Sequence, residues 1–143
     1  MPRPPLSGLI LCAAMLAAAV PALAAGGPQG RFGLDVETTQ ANMVAAGKST
    51  PQLREMLNQT KDLLFFEFSG DTLTFVTGPS MGSRVNGRCH WKLDGTSVLV
   101  DRCVDGTGTG PFRFTGTMSY DESTNAIAVV GPNSPAPVVY GHR

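Results

Sequence analysis

The chain has 143 residues, of which 42% are hydrophobic, and its 11 basic and 11 acidic residues give no net charge. This length suits one ordinary domain with a substantial hydrophobic core. The balanced charge offers no electrostatic basis for binding nucleic acid or an anionic membrane surface. We therefore expect no nucleic-acid partner.

The first 24 residues have the features of a secretory signal peptide. Arg3 gives a positive start, residues 6–20 are nearly all apolar or small, and residues 22–24 form the small-x-small pattern that a signal peptidase cleaves. The apolar stretch is short for a membrane span and no later segment is longer, so we expect no span in the mature chain. Residues 1–24 are predicted to be the signal peptide, and residues 25–143 a single exported domain, periplasmic or secreted.

The exported domain is predicted to begin with a strand and a helical insert. Residues 31–37 alternate apolar and polar side chains with the period of a strand. Residues 38–46 contain helix formers, and residues 49–64 form a second helix in which Pro51 suits the first helical position. We place the helical insert at about 38–62. The second helix is amphipathic and should cover an apolar face or end, with an apolar side formed by Leu53, Met56, Leu57 and Leu64.

Beyond the insert, the hydrophobic period changes to two, which indicates strands. Turn signals rich in Gly, Asn and Asp separate the strands, at 69–71, 86–87, 94–95 and 121–124. The strand segments are 63–78, 84–104, 111–120 and 125–131, followed by a proline-rich tail from 132 with a short edge strand at 138–140. Short strands at regular spacing favour a mainly β fold, an antiparallel meander closed into a small barrel.

Two cysteines remain in the mature chain, and they are predicted to form a disulfide. An even pair in an oxidising compartment is most simply read this way. A two-residue turn at 94–95 would pair Cys89 with Val100, and Cys103 would then lie on the other face of the hairpin. We therefore predict the disulfide together with an irregularity, either a three-residue loop or a bulge near 101–102.

The residue types for a metal or catalytic site are sparse. Cys89, His90 and Cys103 are zinc-ligand types, but zinc sites contain close cysteine pairs, and neighbours on a strand face opposite ways. We expect no metal and no cofactor. No nucleophile elbow occurs and there are only two histidines, so a non-enzyme is predicted. An enzyme would have to rely on Asp101, Asp105 and His90.

Aromatic residues on the strands are the candidates for lining a ligand cavity. A barrel of about eight strands either holds a small apolar ligand or is filled by its own side chains. The candidate ligand-binding residues are Phe66, Phe68, Phe75, Trp91, Phe112, Phe114 and Tyr120. The favoured function is a non-enzymatic binding protein for a small, mostly apolar ligand. The alternative is a cell-envelope protein–protein interaction module, an inhibitor or accessory subunit, that uses loops 78–84 and 105–111 or the tail.

The chain resembles small secreted bacterial proteins of lipocalin-like build in the order of four motifs. These are GLDVETTQANM, FEFSGDTLTF, GRCHWKLDGTSVLV and FRFTGTMSYDES. The resemblance covers about residues 31–131, with an opening LD strand, a helical insert and repeated hairpins. Where true lipocalins have G-x-W at the opening, residues 30–32 read Gly-Arg-Phe. The resemblance implies a small lipocalin-like barrel and carries no catalytic residue onto this chain.

Overall fold

The computed structural model describes residues 26–143, which form eight strands and two short helices. The predicted signal peptide at 1–24 lies outside the described residues. Within residues 26–143, no helix combines the length and apolar character needed to cross a membrane. In chain order the elements are β1 (Gly30–Leu34), α1 (Val36–Ala45), α2 (Leu53–Thr60), β2 (Leu64–Ser69), β3 (Thr72–Thr77), a 3₁₀ helix (Pro79–Met81), β4 (Arg84–Asp94), β5 (Ser97–Asp105), β6 (Thr117–Asp121), β7 (Ala126–Val130) and β8 (Val138–His142).

The eight strands form one closed antiparallel barrel in sequence order. Each strand pairs with the next, and β8 returns to β1, where His142 lies opposite Phe32. The predicted fold, a mainly β meander closed into a small barrel with an N-terminal helical insert, is confirmed. We call the end that carries the β2–β3, β4–β5 and β6–β7 turns the turn end, and the end that carries both helices the helix end.

Helix α1 continues the pairing of β8 after β1 ends. The Asp35 carboxylate caps α1 by accepting the Thr38 N–H at 2.9 Å, so the strand predicted for 31–37 is shorter. The Asp35 N–H donates to the Val139 carbonyl at 2.8 Å. The hydroxyl of the fully buried Thr39 accepts the Val139 N–H at 2.9 Å. This hydroxyl takes the place of a strand partner, which keeps a buried backbone donor satisfied.

Helix α2 covers the helix end of the barrel. Leu53 and Leu57 are buried and pack with Leu34 of β1. The amphipathic covering helix is therefore confirmed for Leu53 and Leu57, but it is shorter than the predicted 49–64. Two members of the predicted apolar side are wrong, because Met56 is 53% exposed and Leu64 begins β2. Its start is displaced because the Leu53 N–H closes a turn onto the Thr50 carbonyl at 3.1 Å before the helix begins.

Strand β4 continues through the turn predicted at 86–87, with an irregularity in its pairing to β3 at Asn86. Gly87 lies within the sheet, opposite Phe75 on β3 and Asp105 on β5. The Asn-Gly pair is a strong turn signal when considered locally. Here pairing on both sides overrides it, so that prediction is wrong.

The predicted disulfide between Cys89 and Cys103 is present. The hairpin turn consists of residues 95–96, one position later than predicted. Arg102 adopts a positive φ of 49°, and the β4–β5 register shifts beside it. The extra residue turns Cys103 to the same face as Cys89, as a bulge does. The predicted bulge is thus confirmed, and it allows a tight turn and the disulfide to coexist.

Candidate functional site

The seven aromatic residues predicted to line a cavity are all part of one core inside the barrel. Five are between 2% and 9% exposed, and the two that precede β6 are half-buried. Their rings make edge-to-face contacts, with centroids 5.3 Å apart for both Phe68–Trp91 and Phe66–Phe75. The structure therefore brings the predicted residues together as a packed interior. They are Phe66, Phe68, Phe75, Trp91, Phe112, Phe114 and Tyr120.

Two of these aromatic residues carry polar atoms. The Tyr120 hydroxyl donates to Asn125 Oδ1 at 3.0 Å. Burial raises the pKa of Tyr120, and the nearby charges of Glu122 and Asp121 raise it further. The Trp91 Nε1 is buried and has no hydrogen-bond partner in the described part of the chain. The Tyr120 hydroxyl thus has an acceptor, whereas the Trp91 N–H has none among the described residues. An unpaired N–H donor is unfavourable in an apolar interior.

A large concavity lies outside the barrel, on the outer face of β6, β7 and β8 towards the turn end. We call it the outer groove, and its volume is about 990 Å³. One side is formed by the start of α1, and the other by the β4–β5 and β6–β7 turns. Of the seven predicted aromatic residues, only Tyr120 contributes to it. Its floor and walls include Asp35, Thr38, Leu93, Thr96, Ser119, Ala126, Ala128, Val139 and Gly141.

The sheet register explains why the outer face is hollow here. Ser119 lies opposite Ala128, while Ala126 lies beside Gly141 on the next strand. Side chains alternate between the two faces of a strand, so the fully buried Ile127 points inward while its alanine neighbours point outward. Small residues on three adjacent strands thus leave a trough. The sequence NAIAVV alternates small and large residues, and this pattern was the available signal for the trough. The sequence-based prediction did not include the trough.

Three carboxylates stand at the rim of the outer groove, and among residues 26–143 no basic residue lines it. Asp35 is engaged in capping α1. Asp121 accepts the hydroxyl of Ser123 at 2.6 Å and its N–H at 2.9 Å, which lowers the pKa of Asp121. Glu122 has no side-chain hydrogen bond or ion pair within residues 26–143. The rim is therefore negative at neutral pH, and the Glu122 carboxylate is available to a ligand.

The residues considered for catalysis lie elsewhere and do not form a single cluster. His90 is on the outer face of β4, with Nδ1 at 3.1 Å from Asp101 Oδ1 and Nε2 at 3.3 Å from Asp71 Oδ2. Asp105 lies towards the helix end, where the Thr107 hydroxyl donates to its carboxylate and lowers the pKa of Asp105. None of these residues lines the outer groove. Among residues 26–143, no group of three or more potential ligands is placed to hold a metal ion.

The sequence matches no protein-family model, and neither a curated protein nor a solved structure matches the chain. The geometry of the barrel and its outer groove is therefore the basis for a function.

Proposed function

We propose that this protein is an exported, non-enzymatic binding protein for a small, mostly apolar ligand held in the outer groove. The observation that carries the proposal is the concavity itself, with its volume of about 990 Å³. Ligand sites commonly occupy roughly 300 to 1,000 Å³ and combine apolar walls with a few polar groups. The outer groove has both features, because small side chains form its floor and carboxylates stand at its rim.

The charges at the rim favour a neutral or positively charged ligand. Asp121 and Glu122 lie at one end of the groove, and no basic side chain of the described residues compensates them in the lining. An ammonium group on the ligand would be attracted to Glu122, while an apolar body would rest on Ala126 and Ala128. An anion would be repelled by the same charges.

Export is supported by two independent features of the chain. The N-terminal sequence has the composition of a signal peptide. The Cys89–Cys103 disulfide suits an oxidising compartment such as a periplasm, because cytosolic thiols are kept reduced.

Calorimetric titration with three probes of similar size tests the proposal. We expect benzyltrimethylammonium to bind more tightly than neutral N,N-dimethylbenzamide, and we expect no binding of anionic benzenesulfonate. A128F places a ring in the trough and should weaken binding of the cation at least about tenfold, or about 1.4 kcal/mol. T74F is the matched control because it adds the same ring to the outer face of β3, outside the groove. E122Q should reduce the preference for the cation over the amide.

Two results would contradict this proposal. One is the absence of binding by all three probes at millimolar concentration. The other is an equal effect of A128F and T74F, since a ring outside the groove should not compete with a ligand inside it.

A second candidate is an interaction module of the cell envelope, and one exposed residue favours it. Met81, on the 3₁₀ helix within the predicted rim loop 78–84, is 67% exposed. Methionine is common at adaptable binding surfaces because its side chain is flexible and polarisable. A pull-down from envelope extract with the wild type and with M81S tests it. Equal recovery by both proteins would remove its support.

A further inference from the structure

The backbone pairing that closes the barrel is short between β5 and β6. Strand β5 runs from Ser97 to Asp105, but the pairing with β6 consists of Ser97 opposite Ser119 and one further bond, from the Tyr120 N–H to the Thr96 carbonyl at 2.8 Å. Residues 112–116, which we call the wall segment, occupy the rest of this gap. Beyond the Val104–Pro111 bridge that adjoins Phe112, residues 113–116 belong to no strand or bridge in the described part of the chain. The sequence predicted a strand over 111–120, whereas the observed strand β6 begins only at Thr117.

Two phenylalanine side chains hold the wall segment in place. Phe112 and Phe114 pack on Phe75, with ring centroids 5.0 Å and 5.5 Å away. The Phe112 ring also lies directly over Gly87 of β4, so closely that a Cβ at Gly87 would overlap it. The absence of a side chain at Gly87 thus creates a space for one aromatic ring beside Phe75. We call this space the ring socket, and Phe112 occupies it.

The chain is held at both ends of the wall segment. Local opening would therefore involve only residues 112–116. Pro111 pairs with Val104, and the Asp105 N–H donates to the Gly110 carbonyl at 3.0 Å. At the other end, Gly116 has a φ of 120°, a conformation that favours glycine, and Thr117 begins β6. Between these points residues 113–116 belong to no strand, and the packing of Phe112 and Phe114 on Phe75 retains them. Elements with few backbone hydrogen bonds open locally at low free-energy cost.

We infer that the ring socket is a binding site for a small ligand with one uncharged aromatic ring, which enters between β5 and β6 in exchange for Phe112. The socket is lined by hydrocarbon from Phe75 and the bare backbone of Gly87, so a charged group would be desolvated there without a partner. A flat ligand ring would make the same contacts as the Phe112 ring that it replaces. This site is independent of the outer groove and of the charge preference proposed for it.

Two variants release the wall segment but treat the socket in opposite ways. F112A removes the Phe112 ring and leaves the socket open. The protein then no longer has to displace this ring before a ligand can bind. G87A places a methyl group where the Phe112 ring lies, so neither Phe112 nor a ligand ring can take that position. The probe is toluene, with cyclohexane as the non-planar control, and binding is followed by nuclear magnetic resonance titration of the full exported chain.

We expect saturable binding of toluene to the wild type, with faster amide exchange at 112–116 when the probe is bound. F112A should bind toluene at least about tenfold more tightly, and G87A should show no binding. Cyclohexane should bind more weakly than toluene in each protein. A128F, in the outer groove, should leave the toluene-dependent shifts at 112–116 unchanged, so failure of one site is distinguishable from failure of the other.

The inference is overturned if the wild type shows no saturable shift at the solubility limit of toluene. It is also overturned if F112A and G87A change the affinity in the same direction, because the socket would then not be the site. If G87A does not fold, F114A replaces it. The Phe114 ring does not fill the space over Gly87, so F114A must raise the affinity less than F112A does, and an equal increase overturns the inference.

Discussion

Removal of the Cys89–Cys103 disulfide should destabilise the barrel while preserving its fold. The two cysteines are separated by 14 positions. In the chain-entropy model, cross-linking a loop of about 15 residues stabilises the folded state by about 3 kcal/mol at 25 °C. For a domain of about 120 residues, an unfolding entropy near 2.1 cal/mol/K per residue converts this into a fall in melting temperature of about 12 °C. The alanine pair C89A/C103A is the appropriate variant because Cys89 is only 2% exposed and alanine keeps the site apolar.

Urea unfolding of three proteins separates the contributions. The oxidised wild type, the reduced wild type and C89A/C103A are compared, with the fluorescence of Trp91, the only tryptophan, as the signal. Both proteins without the bond should lose about 3 kcal/mol, with a small further loss in the alanine pair from the missing sulfur atoms. A loss below about 1 kcal/mol in both would refute the reasoning, since the loop would then be equally restricted without the bond.

Three further predictions concern local features of the barrel. T39V should lower the free energy of unfolding by about 2 kcal/mol in urea denaturation, because it leaves a buried β8 N–H without an acceptor; an unchanged midpoint would contradict this. R102G should stabilise by about 0.5 kcal/mol because glycine tolerates a positive φ. N125G, at the matched φ of 48°, should instead destabilise because the Tyr120 hydroxyl loses its acceptor, and a gain in both variants would count against the argument. D105N should be less stable than the wild type at neutral pH. Since the folded-state pKa of Asp105 lies below its ordinary 3.8, that gap should close in thermal melts as the pH falls below 3.8, and a constant gap would contradict it.

The features that depend on periodicity or on a local constraint were predictable from the sequence. Alternation with a period of two placed Phe66, Phe68 and Trp91 on the inner face, because this pattern does not depend on which strands are neighbours. The bulge at Arg102 followed from the need to bring two cysteines on one hairpin to the same face. Both arguments involve only residues that are close in the chain.

The features that depend on long-range register were not predictable. Thr39 and Val139 are separated by 100 positions, yet their hydrogen bond fixes α1 along one side of the outer groove. Gly87 carries a local turn signal, but the sheet pairs it on both sides and the Phe112 ring covers it. Whether outward alanines form a trough depends in the same way on Gly141 of the neighbouring strand. No local pattern encodes these contacts.

The most direct test of the central claim, that the outer groove binds a small and mostly apolar ligand, is a ¹⁵N–¹H chemical-shift titration with benzyltrimethylammonium. The proposed function predicts saturable shifts concentrated at the groove amides, at Thr38, Glu122, Ala126, Ala128 and Gly141. In A128F the same shifts should require a probe concentration at least about tenfold higher. Shifts confined to other faces of the barrel, or none at saturating probe, would contradict the claim.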